Sequence, residues 1–260
     1  MRIGVSTSCL YPMVTEQAFR TLAESGVRET EIFFNTESET RGALLREILA
    51  IRSAYDIHVQ SVHPYFTFAE ARLLFDGYYR RYLDGTEYVK RLCETCTALG
   101  ADRLILHGER EPFKISEEEY IERFGELAMR TAELGVTLTQ ENVVRFRSQD
   151  PAFLARMRQQ LGDLFAMTFD VKQAVRCGVD PLSLAREFAP QIVHLHLSDH
   201  GEKGDCLPVG EGSFDFSALF RILKDGGFCG DGVLELYRSC YDDPAVLPES
   251  AEILSTLAAF

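Results

Sequence analysis

Six residues of the types that bind metal ions or transfer protons lie at or near the ends of apolar runs in this 260-residue chain. They are His63, His107, Glu141, Asp170, His196 and Glu235. Asp170 lies inside its apolar run rather than ahead of a helix, and Glu235 lies between two leucines. Carboxylates and imidazoles gathered in one buried place would repel one another or lack partners unless a cation joined them. The set therefore predicts a divalent-metal site.

The runs that carry these residues are short and rich in β-branched or apolar side chains, and a helical pattern follows each of them. There are eight: Ile3–Thr7, Glu31–Asn35, Ile57–His63, Arg103–His107, Val136–Asn142, Ala166–Val171, Ile192–Ser198 and Gly232–Tyr237. Nearly continuous apolar runs are typical of parallel strands that are covered on both faces. The sequence therefore predicts eight strand–helix units.

Capping signals mark where several of the helices begin. Ser116 opens a capping box, Asp150 and Asp180 each precede a proline, and Asp215 precedes an apolar stripe. A strand with its helix needs about 30 residues, so eight units account for nearly the whole chain. We predict a single (β/α)8 TIM barrel over residues 1–260. A doubly wound open sheet is the alternative, but no Gly-x-Gly-x-x-Gly follows the first strand.

The barrel prediction gives the six polar residues a common position. In a barrel of this type the C-terminal strand ends and the loops after them form the active face. A histidine at a strand end is more often a hydrogen-bonded structural residue than a ligand, and a carboxylate there is often a helix cap. The combination is more specific than any of its members. It places the predicted metal site at the C-terminal strand ends.

Composition narrows the class of function. The net charge of -13 argues against a partner bound through a nucleic-acid backbone. No apolar stretch is long enough for a signal peptide or a membrane span, and the seven scattered cysteines suggest a reduced, cytoplasmic protein. Cys93 and Cys96 form a Cys-x-x-Cys pair, but they lie in a helical pattern without a second pair. We interpret them as small helix residues.

Four segments together resemble the xylose isomerase-like TIM barrel superfamily, and within it the sugar phosphate isomerase/epimerase branch. They are Asp-Val-Lys-Gln-Ala at 170–174, His-Leu-His-Leu-Ser-Asp at 194–199, Leu-Pro-Val-Gly-Glu-Gly-Ser-Phe-Asp-Phe at 207–216 and Leu-Glu-Leu-Tyr at 234–237. The overall match to this superfamily runs in order from the first strand to the last helix. The segment at 207–216 is the most diagnostic, because no general packing rule requires it.

This resemblance implies one divalent metal held by Glu141, Asp170, His196 and Glu235. Similarity to the ketose 3-epimerases of the group further implies that Glu141 and Glu235 move protons on opposite faces of the substrate. Three carboxylates with one imidazole favour Mn²⁺ or Mg²⁺, with Co²⁺ or Zn²⁺ possible. The implied activity is isomerisation or epimerisation of a small sugar, sugar phosphate or polyol ketone, in a protein that could form a homo-oligomer.

Further residues are candidates for supporting roles. His63 and His107 either bind a second metal with Glu141 or, as we slightly prefer, hydrogen-bond substrate hydroxyls. The remaining candidates are Lys172, Gln173 and Arg238 for substrate binding and Asn142, His194 and Asp199 for orienting the ligands. The backbone of residues 210–213 could offer N–H groups to a phosphate, although Glu211 argues against this.

Three other functions compete with the epimerase. A metal-dependent dehydratase or lyase acting on a cyclic polyol or keto-acid would also start by abstracting a proton next to a carbonyl. A sugar-binding barrel without catalysis is a second alternative. The third is a zinc endonuclease of abasic DNA, whose first metal ligands His63, His107 and Glu141 match. However, Gln173 replaces a histidine that this activity needs, and residues 200–207 contain no Asp-x-His.

Overall fold

The computed structural model describes residues 1–64 and 69–259, with the side chains of all of these except residues 69–71. Ten strands lie in this part of the chain: β1 Ile3–Ser6, β2 Glu29–Phe34, β3 His58–Pro64, β4 Arg103–Leu106, β5 Thr137–Glu141, β6 Ala166–Asp170, β7 Ile192–Leu197, β8 Asp199–Gly201, β9 Gly204–Leu207 and β10 Asp231–Leu234. All except β8 and β9 pair in parallel and close into a barrel in the order β1-β10-β7-β6-β5-β4-β3-β2. The predicted (β/α)8 barrel is confirmed, and the open sheet is excluded.

Ten α-helices surround the barrel in the described ranges: α1 Thr15–Glu24, α2 Gly42–Ala54, α3 Ala69–Leu74, α4 Tyr79–Leu99, α5 Glu117–Glu133, α6 Pro151–Leu161, α7 Val171–Arg176, α8 Pro181–Phe188, α9 Phe216–Asp225 and α10 Val246–Leu257. The side chains of Ser116, Asp150, Asp180 and Asp215 each accept a hydrogen bond from a backbone N–H of the first helical turn. These four predicted caps are therefore confirmed. None of the described helices has the length and apolar character needed to cross a bilayer.

The main core lies between the barrel and its helices. Large apolar side chains from successive helices are fully buried there, including Phe19, Phe124, Phe153, Phe188 and Phe220. Cys93 and Cys96 are buried on α4, as the helical pattern predicted, and both are free thiols. Burial of these apolar groups holds the strands at fixed positions, and so fixes the places where their polar ends meet.

The inside of the barrel is polar toward the C-terminal strand ends. Ser6, Glu31, Ser61 and His194 are fully buried there and hydrogen-bond to one another. The loop after β7 also folds back as the hairpin β8–β9, which the sequence did not predict. Its strands are only three and four residues long, too short for a period-two pattern to stand out.

Candidate functional site

The four residues expected to bind a metal converge in the structure. Glu141 ends β5, Asp170 ends β6, His196 lies in β7, and Glu235 directly follows β10. These strands are consecutive neighbours in the barrel, so their ends meet on one side of the mouth. One ligand atom from each residue lies within 4.8 Å of the others, and all four residues are buried. The arrangement is a compact set of three carboxylates and one imidazole.

Asp170 differs from its sequence interpretation. It does precede a helix, because it is the N-cap of α7, and its Oδ1 accepts a hydrogen bond of 2.8 Å from the backbone N–H of Gln173. The expectation that it does not begin a helix was wrong. The other oxygen, Oδ2, is buried and makes no hydrogen bond of good geometry, although Lys172 Nζ lies 3.1 Å away and His196 Nδ1 3.8 Å away. A buried acceptor without a hydrogen bond of good geometry can accept a metal ion, since buried acceptors are normally hydrogen-bonded.

Lys172 lies inside the same cluster. Its side chain is 1% exposed, and its Nζ is 2.6 Å from Glu235 Oε2 and 3.1 Å from Asp170 Oδ2. Burial lowers the pKa of the ammonium, but the carboxylates of Asp170 and Glu235 outweigh this effect and hold the pKa well above its usual value. Lys172 is therefore a buried cation within the cluster.

The carboxylates still outnumber the cations. Burial raises the pKa of Asp170, and Glu141 and Glu235 add to that rise, so it stays raised despite Lys172 and His196. Burial acts on Glu141 in the same direction, but His107 and His196 hold its pKa well below the usual range. The pKa of one carboxyl in the cluster is thus raised, because the nearby positive charge is not enough to offset burial and the neighbouring carboxylates. A divalent cation would remove this shortage, so the residues present fit the metal that the fold implies.

His63 and His107 contact Oε2 of Glu141, whereas His196 contacts its Oε1. His107 Nε2 is 2.9 Å from Glu141 Oε2, His63 Nε2 is 3.4 Å from the same oxygen, and the two imidazole nitrogens are 3.0 Å apart. The three side chains form a second group with metal-binding geometry. Both histidines also line the substrate-sized cavity described below. Their role in second-metal or substrate binding stays a prediction.

Glu31 is a buried residue that the sequence reasoning did not select. Its Oε2 is 3.1 Å from His196 Nε2 and 3.3 Å from His194 Nε2, and it accepts a hydrogen bond from Ser61. Because His196 Nδ1 faces the four-residue cluster, Glu31 holds the other ring nitrogen and so fixes the imidazole orientation. An acidic residue between Thr30 and Ile32 in a strand was the available signal.

The three residues predicted to orient ligands have different partners. His194 hydrogen-bonds to Glu31 and Ser61, and its ring packs edge-on against that of His196, with the centroids 5.4 Å apart. Asn142 exchanges two hydrogen bonds of 2.9 Å with the backbone of Asp170 and thereby fixes the ends of β5 and β6 relative to each other. Asp199 acts elsewhere, in the loop after β7.

The carboxylate of Asp199 accepts hydrogen bonds from a nest of backbone N–H groups. The donors are His200, Gly210, Gly212 and Phe214, at 2.8–3.1 Å. These include two N–H groups from residues 210–213, where a phosphate was considered from the sequence. Because Asp199 already occupies them, this loop is not open to a phosphate. The side chain organises the loop instead.

A cavity of about 400 Å³ opens above the cluster. Its lining residues are Phe33, His63, His107, Arg110, Glu141, Val143, Val144, Arg145, Phe146, Lys172, Gln173, Glu235 and Tyr237. This volume lies within the range of small-molecule sites. Arg238 is not among the lining residues; it is exposed and donates to the carbonyl of Tyr241 at 2.7 Å. The structure thus brings Lys172 and Gln173, but not Arg238, to the cavity.

The fold and this site place the chain in a defined class. Residues 19–257 match the model of the xylose isomerase-like TIM barrel family, and the chain belongs to that family. This membership agrees with the resemblance drawn from the four sequence segments.

Individual relatives cover the chain to different extents. An uncharacterized protein of Mycobacterium tuberculosis is 27% identical over 98% of this chain and 97% of its own length. L-ribulose-5-phosphate 3-epimerase UlaE of Escherichia coli is 31% identical over 33% of this chain and 27% of its own length. The crystal structure of a D-tagatose 3-epimerase-like protein superimposes with a TM-score of 0.81 at 19% identity, over 99% of this chain and 97% of that one. At this identity the superposition shows the fold alone.

Proposed function

We propose that this protein is a divalent-metal-dependent epimerase or isomerase of a small sugar or related polyol ketone. The observation that carries the proposal is the convergence of Glu141, Asp170, His196 and Glu235 within 4.8 Å beneath a cavity of sugar size. The epimerase names of the relative UlaE and of the superimposed structure support the same reaction class. The substrate is accordingly a small carbohydrate.

Glu141, Asp170, His196 and Glu235 would hold the metal. Oxygen-rich sites of this kind suit Mn²⁺ or Mg²⁺. When bound, such an ion polarises a ketone and its neighbouring hydroxyl and lowers the pKa of the adjacent C–H. Glu31 keeps the imidazole of His196 in the orientation that points Nδ1 at the cluster.

Two glutamates would carry the proton transfers. Glu141 and Glu235 stand on strands that are three positions apart around the barrel, so their carboxylates enter the cavity from different sides. One takes the proton from the carbon next to the ketone, and the other delivers a proton to the opposite face. Lys172, 2.6 Å from Glu235, stabilises the charged form of that carboxylate before it accepts a proton or after it has delivered one.

Product analysis tests this proposal. The protein loaded with Mn²⁺ is incubated with a panel of ketoses, and products are separated by chromatography while ultraviolet absorbance is recorded. We expect an epimeric or isomeric sugar and an unchanged spectrum. A rise in enone absorbance would show elimination and so favour the dehydratase or lyase. Tight sugar binding without any product would favour the non-catalytic binder.

The abasic-site endonuclease is disfavoured by the residue that replaces its ligand. Gln173 caps the backbone of the neighbouring loop instead, since its Oε1 accepts a 3.2 Å hydrogen bond from Val144 N–H. The net charge of -13 also opposes DNA binding. We expect no incision of abasic duplex with Zn²⁺, Mn²⁺ or Mg²⁺. Incision that survives purification and is lost in Glu141→Ala would overturn this choice.

A further inference from the structure

Lys172 differs from the other lysines of the chain in its burial. Its side chain is 1% exposed, whereas Lys90, Lys114, Lys203 and Lys224 are all exposed. An ammonium has three N–H donors and no acceptor, so its burial is unfavourable unless carboxylates pair with it. Carboxylates of the metal cluster supply this pairing. The position of Lys172 thus depends on the same groups that would bind the metal.

The ammonium contacts one oxygen of each of two carboxylates. Nζ is 2.6 Å from Glu235 Oε2 and 3.1 Å from Asp170 Oδ2. The same two oxygens face the imidazole of His196, since Nδ1 lies 3.6 Å from Glu235 Oε2 and 3.8 Å from Asp170 Oδ2. The ammonium and the imidazole therefore meet at the same pair of oxygens.

The second oxygen of each carboxylate has a different donor. Asp170 Oδ1 accepts a hydrogen bond of 2.8 Å from the backbone N–H of Gln173, and Glu235 Oε1 accepts one of 3.4 Å from the hydroxyl of Ser8. These donors leave Oδ2 and Oε2 as the oxygens that face an ion held together with His196. They are also the two oxygens that Lys172 contacts, so the ion and the ammonium need the same acceptors.

A divalent ion and the ammonium would repel each other in this site. An ion bonded to oxygens that are 2.6 and 3.1 Å from Nζ lies close to a full positive charge, and charges interact strongly where little water screens them. Binding of the ion thus weakens the contacts of Lys172 with Asp170 and Glu235. The ring of Tyr237, 4.9 Å from Nζ on the wall of the cavity, remains a partner for the ammonium. The weakened carboxylate contacts lower the net affinity for the metal.

We infer that Lys172 competes with the divalent ion for Asp170 Oδ2 and Glu235 Oε2, and so sets the metal affinity of the site. This inference rests on the proposed function, because it concerns the metal of the same cluster. It predicts that loss of the Lys172 charge strengthens metal binding, whereas loss of a ligand weakens it.

The test measures how firmly the full-length protein retains Mn²⁺. The Mn²⁺-loaded wild type and variants are dialysed against a series of EDTA concentrations, and the Mn²⁺ left per chain is measured by elemental analysis. Lys172→Met keeps the length of the side chain and removes its charge, while Lys172→Arg keeps the charge. Lys203→Met is the matched control, because it removes the same charge from the exposed turn between β8 and β9.

We expect Lys172→Met to lose half of its Mn²⁺ at an EDTA concentration roughly 10- to 100-fold higher than the wild type does. Lys172→Arg and Lys203→Met should show no such gain. Circular dichroism checks that each variant is folded, and Lys172→Gln replaces Lys172→Met if the latter is not.

The outcomes separate this inference from the proposed function. If the wild type binds Mn²⁺ but the neutral Lys172 variant retains it no better than Lys203→Met does, the competition is overturned and the epimerase is unaffected. An equal gain in Lys172→Arg would also overturn it, because the charge would then not be the cause. If neither the wild type nor any variant binds Mn²⁺, the proposed function and this inference both fail. If Mn²⁺ retention rises as expected but no ketose reacts, the inference stands and the epimerase fails.

Discussion

The carboxylates at the two ends of the barrel are paired with basic residues in different ways. At the N-terminal strand ends, Asp231 forms a salt bridge of 2.6 Å with Arg2 and lies 3.4 Å from Arg103. Glu29 lies 2.7 Å from the imidazole of His58. Each of these carboxylates has its own basic partner. At the C-terminal strand ends, three carboxylates within 4.8 Å share Lys172 and His196, and one of them also contacts His63 and His107. At the N-terminal end each acid is paired separately, whereas at the C-terminal end three acids lie together in one buried cluster.

This difference indicates what each end is for. A balanced set of ion pairs contributes to folding and needs no further group. A buried set with excess negative charge is unfavourable in isolation, and it is retained where a ligand or metal completes it. Barrels of this type commonly divide the two tasks in this way, with stability at the N-terminal face and chemistry at the C-terminal face. The predictions below test that division.

The largest effect is expected from the two glutamates at the C-terminal end. Glu141→Gln and Glu235→Gln keep the side-chain volume but cannot accept a proton, so each should lower kcat by about 10²- to 10⁴-fold. The double variant should be little worse than either single one, because one loss already breaks the two-proton relay. Steady-state kinetics with metal content confirmed checks this. Near-normal kcat in either variant would leave the glutamates as ligands only.

The second largest effect is expected in the metal content when a ligand is removed. The purified protein is expected to carry about one tightly bound divalent ion per chain on the four-residue cluster. His196→Ala and Asp170→Ala each remove a ligand and should strongly lower the metal content measured by elemental analysis. Asp231→Ala, at the opposite end of the barrel, serves as the control and should keep it. Full retention in both cluster variants would contradict the metal assignment.

A smaller effect is expected at Glu31. Glu31→Gln weakens the support of His196 without removing a ligand, so metal affinity should fall about 10- to 100-fold. Thr139→Val is the matched control, because its buried hydroxyl contacts Thr168 inside the barrel and not the cluster. Calorimetric titration of Mn²⁺ into the metal-free variants measures the change. Equal affinity in Glu31→Gln and the control would show that Glu31 does not position the imidazole.

The smallest catalytic effect is expected at the balanced end. Asp231→Asn should lower the free energy of unfolding by about 1–3 kcal/mol and leave kcat nearly unchanged. Burial raises the pKa of Asp231, but the hydrogen bonds from Arg2 lower it by a larger amount. The pKa of Asp231 in the folded protein therefore lies below its value in the unfolded chain. The stabilisation is thus present above about pH 4 and lost as pH falls through the folded pKa. Urea unfolding of both proteins across this pH range checks it. A constant difference down to low pH would contradict the ion-pair account.

The sequence predicted the barrel and most of the cluster because both depend on local patterns. Strand runs end where apolar residues give way to polar ones, and this placed Glu141, Asp170 and Glu235 at one mouth. Burial of Lys172 could not be predicted from the local sequence, because its partner Glu235 lies 63 residues away in the chain. The sequence did not point to Glu31, because this residue lies within β2 and the ligands were expected at the C-terminal ends of the strands.

Loop contacts were harder to predict than strand ends. The glycine-rich segment at 210–213 suggested open N–H groups, but these are filled by Asp199, a residue from before the hairpin. Arg238 follows Glu235 closely in sequence, yet a short 3-10 turn over Arg238–Cys240 directs its guanidinium to the carbonyl of Tyr241. Side-chain direction in loops depends on tertiary contacts that residue type does not encode.

The most direct test of proton abstraction at the C-terminal end is hydrogen exchange of the substrate. The Mn²⁺-loaded protein is incubated in D₂O with neutral, phosphorylated and carboxylated ketoses, the metal is removed, and the C–H signals are followed by NMR. We expect deuterium at the carbon next to the ketone of at least one sugar, loss of this exchange after treatment with EDTA, and its return with Mn²⁺. The exchange should be lost in at least one of Glu141→Gln and Glu235→Gln. Absence of exchange throughout the panel, or exchange that EDTA and both substitutions leave unchanged, would contradict the account.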